Sequence, residues 1–382
     1  MGLTVRYFDY NATTPVAPEV FDAMAPFLRE SWGNPSSIYA FGHRLVDAIE
    51  RAREQVAQLI GAQPGEIVFT SCGTESSNTA LMSAVLQDQG PRHCLMPTVE
   101  HAANLETAKR LEQRGAEVEW IGVGRDGQVS VDSLSGLFRS DTALVSVMWA
   151  NNETGVISPI AELGSRCRDR GVRFHSDAVQ AAGKVPIDVT SCPVDYLSLS
   201  GHKLYAPKGI GALFVREGAP FHSLIVGGGQ EKGRRAGTQN VAFMVALGRA
   251  AELAGDMLEA ESFRLTAMRD RLEGSLLELP GVRVNGREAP RLPNTSNLVF
   301  EGVESEALLL LLEREGICAS SGSACSTGSL EPSHVLVGMG LDRLTALSSI
   351  RLSLGRMTKE EDVDHLISVM PRLISRLRGA IP

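Results

Sequence analysis

The sequence predicts an α/β fold in which a mostly parallel sheet forms a large domain and a smaller α+β domain follows toward the C-terminus. In the first two thirds of the chain, short apolar runs alternate with helical patterns, as expected for strands joined by crossover helices. A long helical pattern then leads to a last third with a different order of elements. The length of 382 residues suits about two domains, at roughly 150 residues per domain.

Seven apolar runs have the length of buried strands. They cover residues 66–70, 94–97, 117–121, 143–148, 172–176, 196–200 and 211–215. Several of them end in polar residues, and an open α/β sheet binds its ligand outside the carboxyl ends of its strands. We therefore expect the functional site at these polar ends.

The last third of the chain reads as a separate α+β unit. It shows a long helix at 241–279, a Pro-containing stretch at 280–293, a strand at 295–300, a helix at 305–315, a strand at 349–354 and an amphipathic helix from Thr358. Small polar residues fill 319–329, which predicts a mobile loop. We expect a large domain at 12–255 and a small domain at 256–382 that also includes 1–11.

The composition limits the possible functions. The chain has 37 Lys plus Arg and 45 Asp plus Glu, and the net charge of −8 argues against a surface that neutralises nucleic-acid or lipid phosphates. No apolar run approaches the ~18 residues of a membrane helix, and the first residues lack the apolar segment of a signal peptide. Six cysteines without a C-x-x-C pair indicate a reducing compartment and no structural zinc. We expect a cytoplasmic protein without a metal site.

Residues 122–127 match the dinucleotide fingerprint G-x-G-x-x-G, but we interpret them as a connecting turn. Asp126-Gly127 is a turn signal, and residues 128–131 continue as an extended segment where the fingerprint requires a helix. The motif therefore predicts no nucleotide site.

The segment from Ser71 to Glu75 follows the first predicted strand and starts a helix. Two readings are equally good. Backbone N–H groups at the helix start, with the Thr74 hydroxyl, can hold a phosphate. Alternatively, Ser71 or Thr74 is an ordinary helix cap.

Asp177 and Lys203 each lie just past the end of a predicted strand. An acid in the position of Asp177 is often a helix cap, but it can also keep a proton on a heteroaromatic nitrogen, as pyridoxal phosphate requires. Lys203 follows His202 and is either solvated or placed to form a Schiff base with a cofactor aldehyde. The residues alone leave both alternatives open.

Cys325 lies in the Gly/Ser-rich segment, which would give its thiol the access that a nucleophile needs. Cys94, Cys167 and Cys318 lie in apolar surroundings and are expected to be inert.

Several motifs together resemble one known family. They are DYNATT at 9–14, GNPSS at 33–37, VEH at 99–101, NNETG at 151–155, the segments around Asp177 and Lys203, GRRAGT at 233–238, and residues 320–335. Over nearly its whole length the chain resembles the cysteine desulfurases of the NifS/IscS group, which are class-V aminotransferases of pyridoxal-phosphate fold type I. The run at 233–240 and the APKG turn at 206–209 favour the NifS branch.

The resemblance implies pyridoxal 5′-phosphate as the cofactor and assigns the site residues. Lys203 is the Schiff-base lysine, Asp177 pairs with the pyridine nitrogen and Gln180 binds the phenolic oxygen. His101 stacks on the ring and assists proton transfer. The phosphate would be held by Gly73, Thr74, Ser200, His202 and, from the other subunit of a homodimer, Thr238. The remaining implied contacts are Asn152 with cofactor and substrate, and Arg351 and Asn11 with the substrate.

The resemblance also implies an activity. L-cysteine would become L-alanine and leave a persulfide on Cys325. The persulfide would pass its sulfur to a NifU/IscU-like iron–sulfur scaffold protein for the assembly of nitrogenase-type clusters. Two alternatives remain. One is a selenocysteine lyase or another class-V aminotransferase-like enzyme. The other is a non-catalytic sulfur carrier or scaffold, in which Lys203 and Asp177 are ordinary surface residues.

Overall fold

The computed structural model describes residues 5–86, 93–321 and 331–379. Its strands are β1 (Arg6–Tyr7), β2 (Ile67–Thr70), β3 (His93–Pro97), β4 (Glu117–Ile121), β5 (Thr142–Ser146), β6 (Arg173–Asp177), β7 (Tyr196–Ser200), β8 (Gly211–Val215), β9 (Val282–Val284), β10 (Thr295–Phe300), β11 (Ile317–Cys318) and β12 (Ser349–Ser353). Each predicted strand of the large sheet matches one of these within two residues at either end.

Strands β2 to β8 form a single sheet in the order β2-β8-β7-β6-β5-β3-β4. The strands β3 to β7 pair in parallel, whereas β8 is antiparallel to both of its neighbours, β7 and β2. Because β8 alone is reversed, β2 runs in the same direction as β7. The carboxyl ends of six strands therefore lie at one edge, and the predicted seven-stranded, mostly parallel sheet is confirmed.

The helices are α1 (Pro18–Arg29), α2 (Ala40–Leu59), α3 (Gly73–Val85), α4 (Ala102–Glu112), α5 (Val131–Leu137), α6 (Ile160–Asp169), α7 (Val241–Leu277), α8 (Ser305–Arg314), α9 (His334–Gly338), α10 (Arg343–Leu347) and α11 (Glu360–Gly379). Within the part of the chain that the structure describes, no helix is long and apolar enough to cross a membrane.

Helix α7 links two hydrophobic cores. Leu247 in its first half packs into the core of the large sheet, whereas Leu272 in its second half packs into a second core with α8 and α11. The second core also covers the antiparallel sheet β12-β10-β9. The predicted domain boundary between residues 255 and 256 falls inside α7 and stays a prediction.

Three short strands were not predicted from the sequence. Strands β1, β9 and β11 have only two or three residues, which is too short for a periodic apolar signal.

In the glycine motif at 122–127, Gly127 has a φ of +83° and Val123 pairs with Val129 across the turn. The interpretation as a connecting turn is confirmed.

A buried ion pair fixes the segment before α7 against the large domain. Arg53 of α2 binds Glu231 with two bonds, Nη1 to Oε2 at 2.7 Å and Nη2 to Oε1 at 3.1 Å, and both residues are buried. Glu231 Oε2 also accepts from Phe69 N at 3.0 Å. Glu231 and the following Lys232 have φ values of +50° and +57°, the left-handed region that side chains rarely adopt. The ion pair thus holds a strained turn in place.

We expect Arg53→Met to lower the free energy of unfolding by about 3–5 kcal/mol, because it leaves the Glu231 carboxylate buried without its cation. Chemical denaturation of the purified protein measures this. Arg51→Met is a matched control, since Arg51 is exposed on the same helix. If both variants unfold at the same denaturant concentration, the ion pair does not stabilise the fold.

Candidate active site

The carboxyl ends of the parallel strands border a cavity of about 350 Å³, within the roughly 300–1,000 Å³ of small-molecule sites. Residues that follow β2, β3, β5, β6 and β7 line it, together with the segment at Asn11 and Arg351 of β12. The lining residues are Asn11, Ala12, Cys72, Gly73, Thr74, His101, Ala103, Met148, Ala150, Asn152, Asp177, Val179, Gln180, Ser200, His202, Lys203 and Arg351. A cavity thus lies at the polar strand ends, where the sequence predicts the site.

The first turn of α3 forms one end of the cavity. The N-cap of α3 is Cys72, whose Sγ accepts from Glu75 N at 3.5 Å, so neither Ser71 nor Thr74 is the cap. The exposed Thr74 side chain lines the cavity. A Cβ atom on Gly73 would lie 2.8 Å from Val179 Cγ2 and 3.3 Å from Ser200 Cβ. Glycine is therefore needed for the helix start to approach the neighbouring strand ends.

Asp177 is the last residue of β6, and its carboxylate lines the cavity although only 7% of the residue is exposed. Its Oδ1 accepts from Val179 N at 2.9 Å, which makes a local turn, not a helix cap. Burial raises the pKa of Asp177, while the charges of His101 and Lys203 act in the opposite direction. An ionised carboxylate in this position is costly unless a cation faces it.

Lys203 ends the short 3-10 turn Gly201–Lys203 that follows β7. Its Nζ donates to the main-chain oxygen atoms of Asn11 and, at 2.6 Å, of Ala12. The side chain is thus held inside the cavity, and the alternative of a solvated surface lysine is wrong.

Two histidines that line the cavity, His101 and His202, are difficult to protonate. Burial, above all, lowers the pKa of His101, and burial with the charge of Lys203 lowers that of His202 to about 4. His101 Nδ1 accepts from Ala103 N at 3.1 Å, which assigns the ring proton to Nε2. His202 Nδ1 lies 3.1 Å from Thr13 Oγ1. Near neutral pH, both rings are therefore uncharged, and His101 carries its proton on Nε2.

Arg351 brings a buried guanidinium to the cavity from the second core. The residue is 3% exposed, and its side chain donates from Nη2 to Asp9 Oδ1 at 2.7 Å and from Nη1 to the Asn152 carbonyl at 2.8 Å. Its Nε is buried and has no hydrogen-bond partner among the described residues. A planar fork with an unused N–H suits a carboxylate ligand.

Asn11 and Gln180 form a network beneath Lys203. The Asn11 carbonyl accepts from both Lys203 Nζ and, at 2.9 Å, Gln180 Nε2. The Asn11 side chain donates to Thr295 Oγ1 at 2.8 Å and to the Asn152 carbonyl at 3.2 Å. Gln180 Oε1 accepts from Lys184 Nζ at 2.9 Å.

Of the predicted site residues in the described part of the chain, all but one line the same cavity. Thr238 is exposed and does not line it. Cys325 lies outside the described residues. Sequence reasoning missed the roles of Asp9 and Lys184. Asp9 accepts from Arg351, and Lys184 donates to Gln180. Asp9 belongs to a quoted motif, but nothing in the local sequence pairs it with an arginine 342 residues away.

The residues present fit pyridoxal phosphate. Hydroxyls of Thr74 and Ser200, the Gly73 backbone and His202 surround the end of the cavity where a phosphate would bind. Asp177 supplies a buried carboxylate that needs a cation, such as a protonated ring nitrogen. Lys203 supplies an amine inside the cavity that can bond covalently to an aldehyde.

The Aminotransferase class-V family matches residues 6–366 of this chain. A cysteine desulfurase from Trichormus azollae is 51% identical over 381 residues, covering 100% of this chain and 95% of that protein. Cysteine desulfurase NifS from Azotobacter vinelandii is 47% identical over 378 residues, covering 98% and 94%. The solved structure of a NifS-like protein matches with a TM-score of 0.91 and 38% identity, covering 98% of this chain and all of that one. The family and fold type expected from the motifs are confirmed: this chain belongs to the class-V aminotransferase family, among relatives that are named cysteine desulfurases.

Proposed function

We propose that this chain is a pyridoxal-phosphate-dependent cysteine desulfurase that converts L-cysteine to L-alanine and leaves a persulfide on Cys325. Its family depends on this cofactor. The observation that carries the proposal is the common cavity of Lys203, Asp177 and Arg351. One cavity thus combines an amine for the cofactor, a carboxylate for its ring nitrogen and a guanidinium for an amino-acid carboxylate.

The bound cofactor supplies an electron sink that acidifies the α-proton of an amino acid. The chain would hold its phosphate with Gly73, Thr74, Ser200 and His202. Asp177 would keep its ring nitrogen protonated, because a buried carboxylate favours a cationic neighbour. Arg351, fixed by Asp9 and the Asn152 carbonyl, would bind the substrate carboxylate.

Two groups of the chain would move protons. Lys203 would take the substrate α-proton as a general base when its amine is not bonded to the cofactor. His101 would exchange a proton through Nε2, since its Nδ1 is occupied by Ala103 N. The lowered pKa of His101 keeps the ring neutral, so Nε2 carries a proton that it can donate.

Cys325 would take the sulfur. Its thiolate attacks the substrate sulfur, the carbon–sulfur bond breaks with its electrons returned to the substrate carbon, and protonation of that carbon gives alanine. The sulfur atom stays on Cys325 as a persulfide. No external oxidant is needed, since the substrate carbon is reduced as the two sulfurs become bonded.

Mass spectrometry of the protein after incubation with L-cysteine tests the function. We expect one additional sulfur on the peptide that contains Cys325, and alanine in the solution. Cys325→Ser is the blank, and it should still bind the cofactor. Alanine formation by wild-type protein without sulfur on residue 325 would contradict the proposal.

We expect Arg351→Ala to raise the KM for L-cysteine by roughly 10- to 150-fold, equivalent to the 1.5–3 kcal/mol of a hydrogen bond to a charged group. The cofactor spectrum should not change, because Arg351 is assigned to the substrate. Arg372→Ala is a control, since Arg372 lies on α11 in an exposed ion pair with Glu315. An unchanged KM in Arg351→Ala would remove its carboxylate role.

We also propose a homodimer that completes the phosphate site. Exposed apolar side chains cover the segment from α1 to α2, with Trp32 at 70% and Ile38 at 101% exposure, and Val226 at 80% lies in the segment before α7. Gln230 Nε2 donates to Ser36 Oγ at 2.8 Å and connects these two segments. A second copy seated on this surface would cover it and would bring Thr238 to the phosphate end of the other cavity.

The destination of the sulfur belongs to the proposal as well. We propose that a cytoplasmic iron–sulfur scaffold protein of the NifU/IscU kind accepts the sulfur, in support of nitrogen fixation, because a NifS protein is among the relatives at 47% identity.

We also propose that the chain has a large domain at 12–255 and a small domain at 256–382 that includes 1–11, since the two halves of α7 pack into different cores.

A further inference from the structure

Lys184 is a partly buried lysine behind the cavity wall, and the mechanism above does not use it. Its Nζ lies 2.9 Å from Gln180 Oε1 and 3.4 Å from Asn11 Oδ1. Gln180 and Asn11 both line the cavity, whereas Lys184 itself does not. Lys184 therefore reaches the site through two residues that face it.

These contacts fix the orientation of the Gln180 amide. Its Nε2 donates to the Asn11 carbonyl and its Oε1 accepts from Lys184. If the amide were flipped, Oε1 would face the carbonyl oxygen and Nε2 would face a nitrogen that donates. Both bonds would be lost, so the observed orientation is strongly preferred. It leaves the second N–H of Nε2 available to a ligand.

The protonation state of Lys184 can change near neutral pH, but its hydrogen bond to Gln180 is kept in both states. Burial, and then the positive charges of Lys203 and Arg351, lower the pKa of Lys184 to about 7. Both the ammonium and the neutral amine can donate to Gln180 Oε1. The contact therefore survives titration, and the protonated form adds positive charge behind the amide.

We propose that Lys184 is a positioning residue that holds Gln180 as a hydrogen-bond donor toward the phenolic oxygen of the cofactor. The inference rests on the proposed function because it takes Gln180 as the partner of that oxygen. A donor and a positive charge near an acidic oxygen favour its anionic form. The residue would thereby tune the protonation of the bound cofactor without touching it.

The test is a pH titration of the visible absorption band of the protein loaded with pyridoxal phosphate, without substrate. We expect Lys184→Met to raise the pH midpoint of that band by about one unit, since the anionic form loses its support. Lys109→Met, an exposed lysine of α4 paired with Glu106, should leave the midpoint unchanged.

Gln180→Ala separates positioning from general folding effects. If Lys184 acts through Gln180, Gln180→Ala alone should raise the midpoint, and adding Lys184→Met should raise it much less than in wild type. An unchanged midpoint in Lys184→Met, or an equal rise in both backgrounds, would overturn the inference. Should Lys184→Met not fold, Lys184→Ala removes both the donor and the charge, and an unchanged midpoint there would equally overturn the inference. Wild-type protein that takes up no cofactor would overturn the proposed function instead.

Discussion

Lys203→Ala is expected to reduce the conversion of L-cysteine to alanine by about 10⁴-fold, the upper end of what a single general base contributes. The residue has two roles in the proposal, as the amine that bonds to the cofactor and as the base for the α-proton. The structure fixes Lys203 Nζ inside the cavity on the carbonyl oxygens of Asn11 and Ala12. Among the residues that line the cavity, no other supplies a primary amine.

The measurement that checks the lysine assignment is borohydride reduction of the protein loaded with cofactor. Wild type should retain the cofactor through denaturation after reduction, and Lys203→Ala should lose it. Lys208→Ala is a suitable control, because Lys208 is exposed only five residues later. Cofactor that stays attached to Lys203→Ala after reduction and denaturation would show that the lysine is misassigned.

Lys203→Ala should still bind the cofactor noncovalently. In the proposal, Gly73, Thr74 and Ser200 hold the phosphate, whereas Lys203 Nζ donates to the main-chain oxygens of Asn11 and Ala12. Equilibrium dialysis against pyridoxal phosphate measures this directly. Loss of all cofactor binding would mean that the variant has changed more than the amine.

Most of the large sheet could be predicted from the sequence because most of its strands are buried on both faces, although the edge strand β4 is partly exposed. Strands β4, β7 and β8 have the predicted bounds, and β7 and β8 are buried at every position. Continuous apolar runs of this kind are typical of parallel sheets covered by helices. Strands β1 and β11 were missed since each has two residues, and their pairing depends on contacts between distant parts of the chain.

The candidate site could be predicted from strand ends but not from its supporting contacts. Asp177 and Lys203 follow apolar runs, so their positions could be inferred from the topology of open sheets. The N-cap of α3 was misjudged, because Cys72 is a weak acceptor that sequence preferences do not favour. The bond between Asp9 and Arg351 joins the two ends of the chain, and only the folded structure brings them together.

Asp177→Asn is expected to lower kcat by about 10²- to 10⁴-fold, the usual range for one group that controls a proton. Burial destabilises the ionised form of Asp177 unless a cation faces it. The protonated ring nitrogen of the cofactor would be that cation. A neutral amide has no such demand, so the ring nitrogen would lose its proton and the electron sink would weaken. The substitution conserves the shape of the side chain and an acceptor for Val179 N.

The variant therefore separates charge from structure. Asp177→Asn should unfold close to the wild-type temperature, and borohydride should still attach the cofactor to Lys203, while kcat falls. Asp141→Asn, at an exposed position just before β5, should behave as wild type. Steady-state kinetics of alanine release, compared with the amount of cofactor bound, gives the result. A kcat that falls only in proportion to lost cofactor would mean that Asp177 holds the ring in place and does not control its protonation.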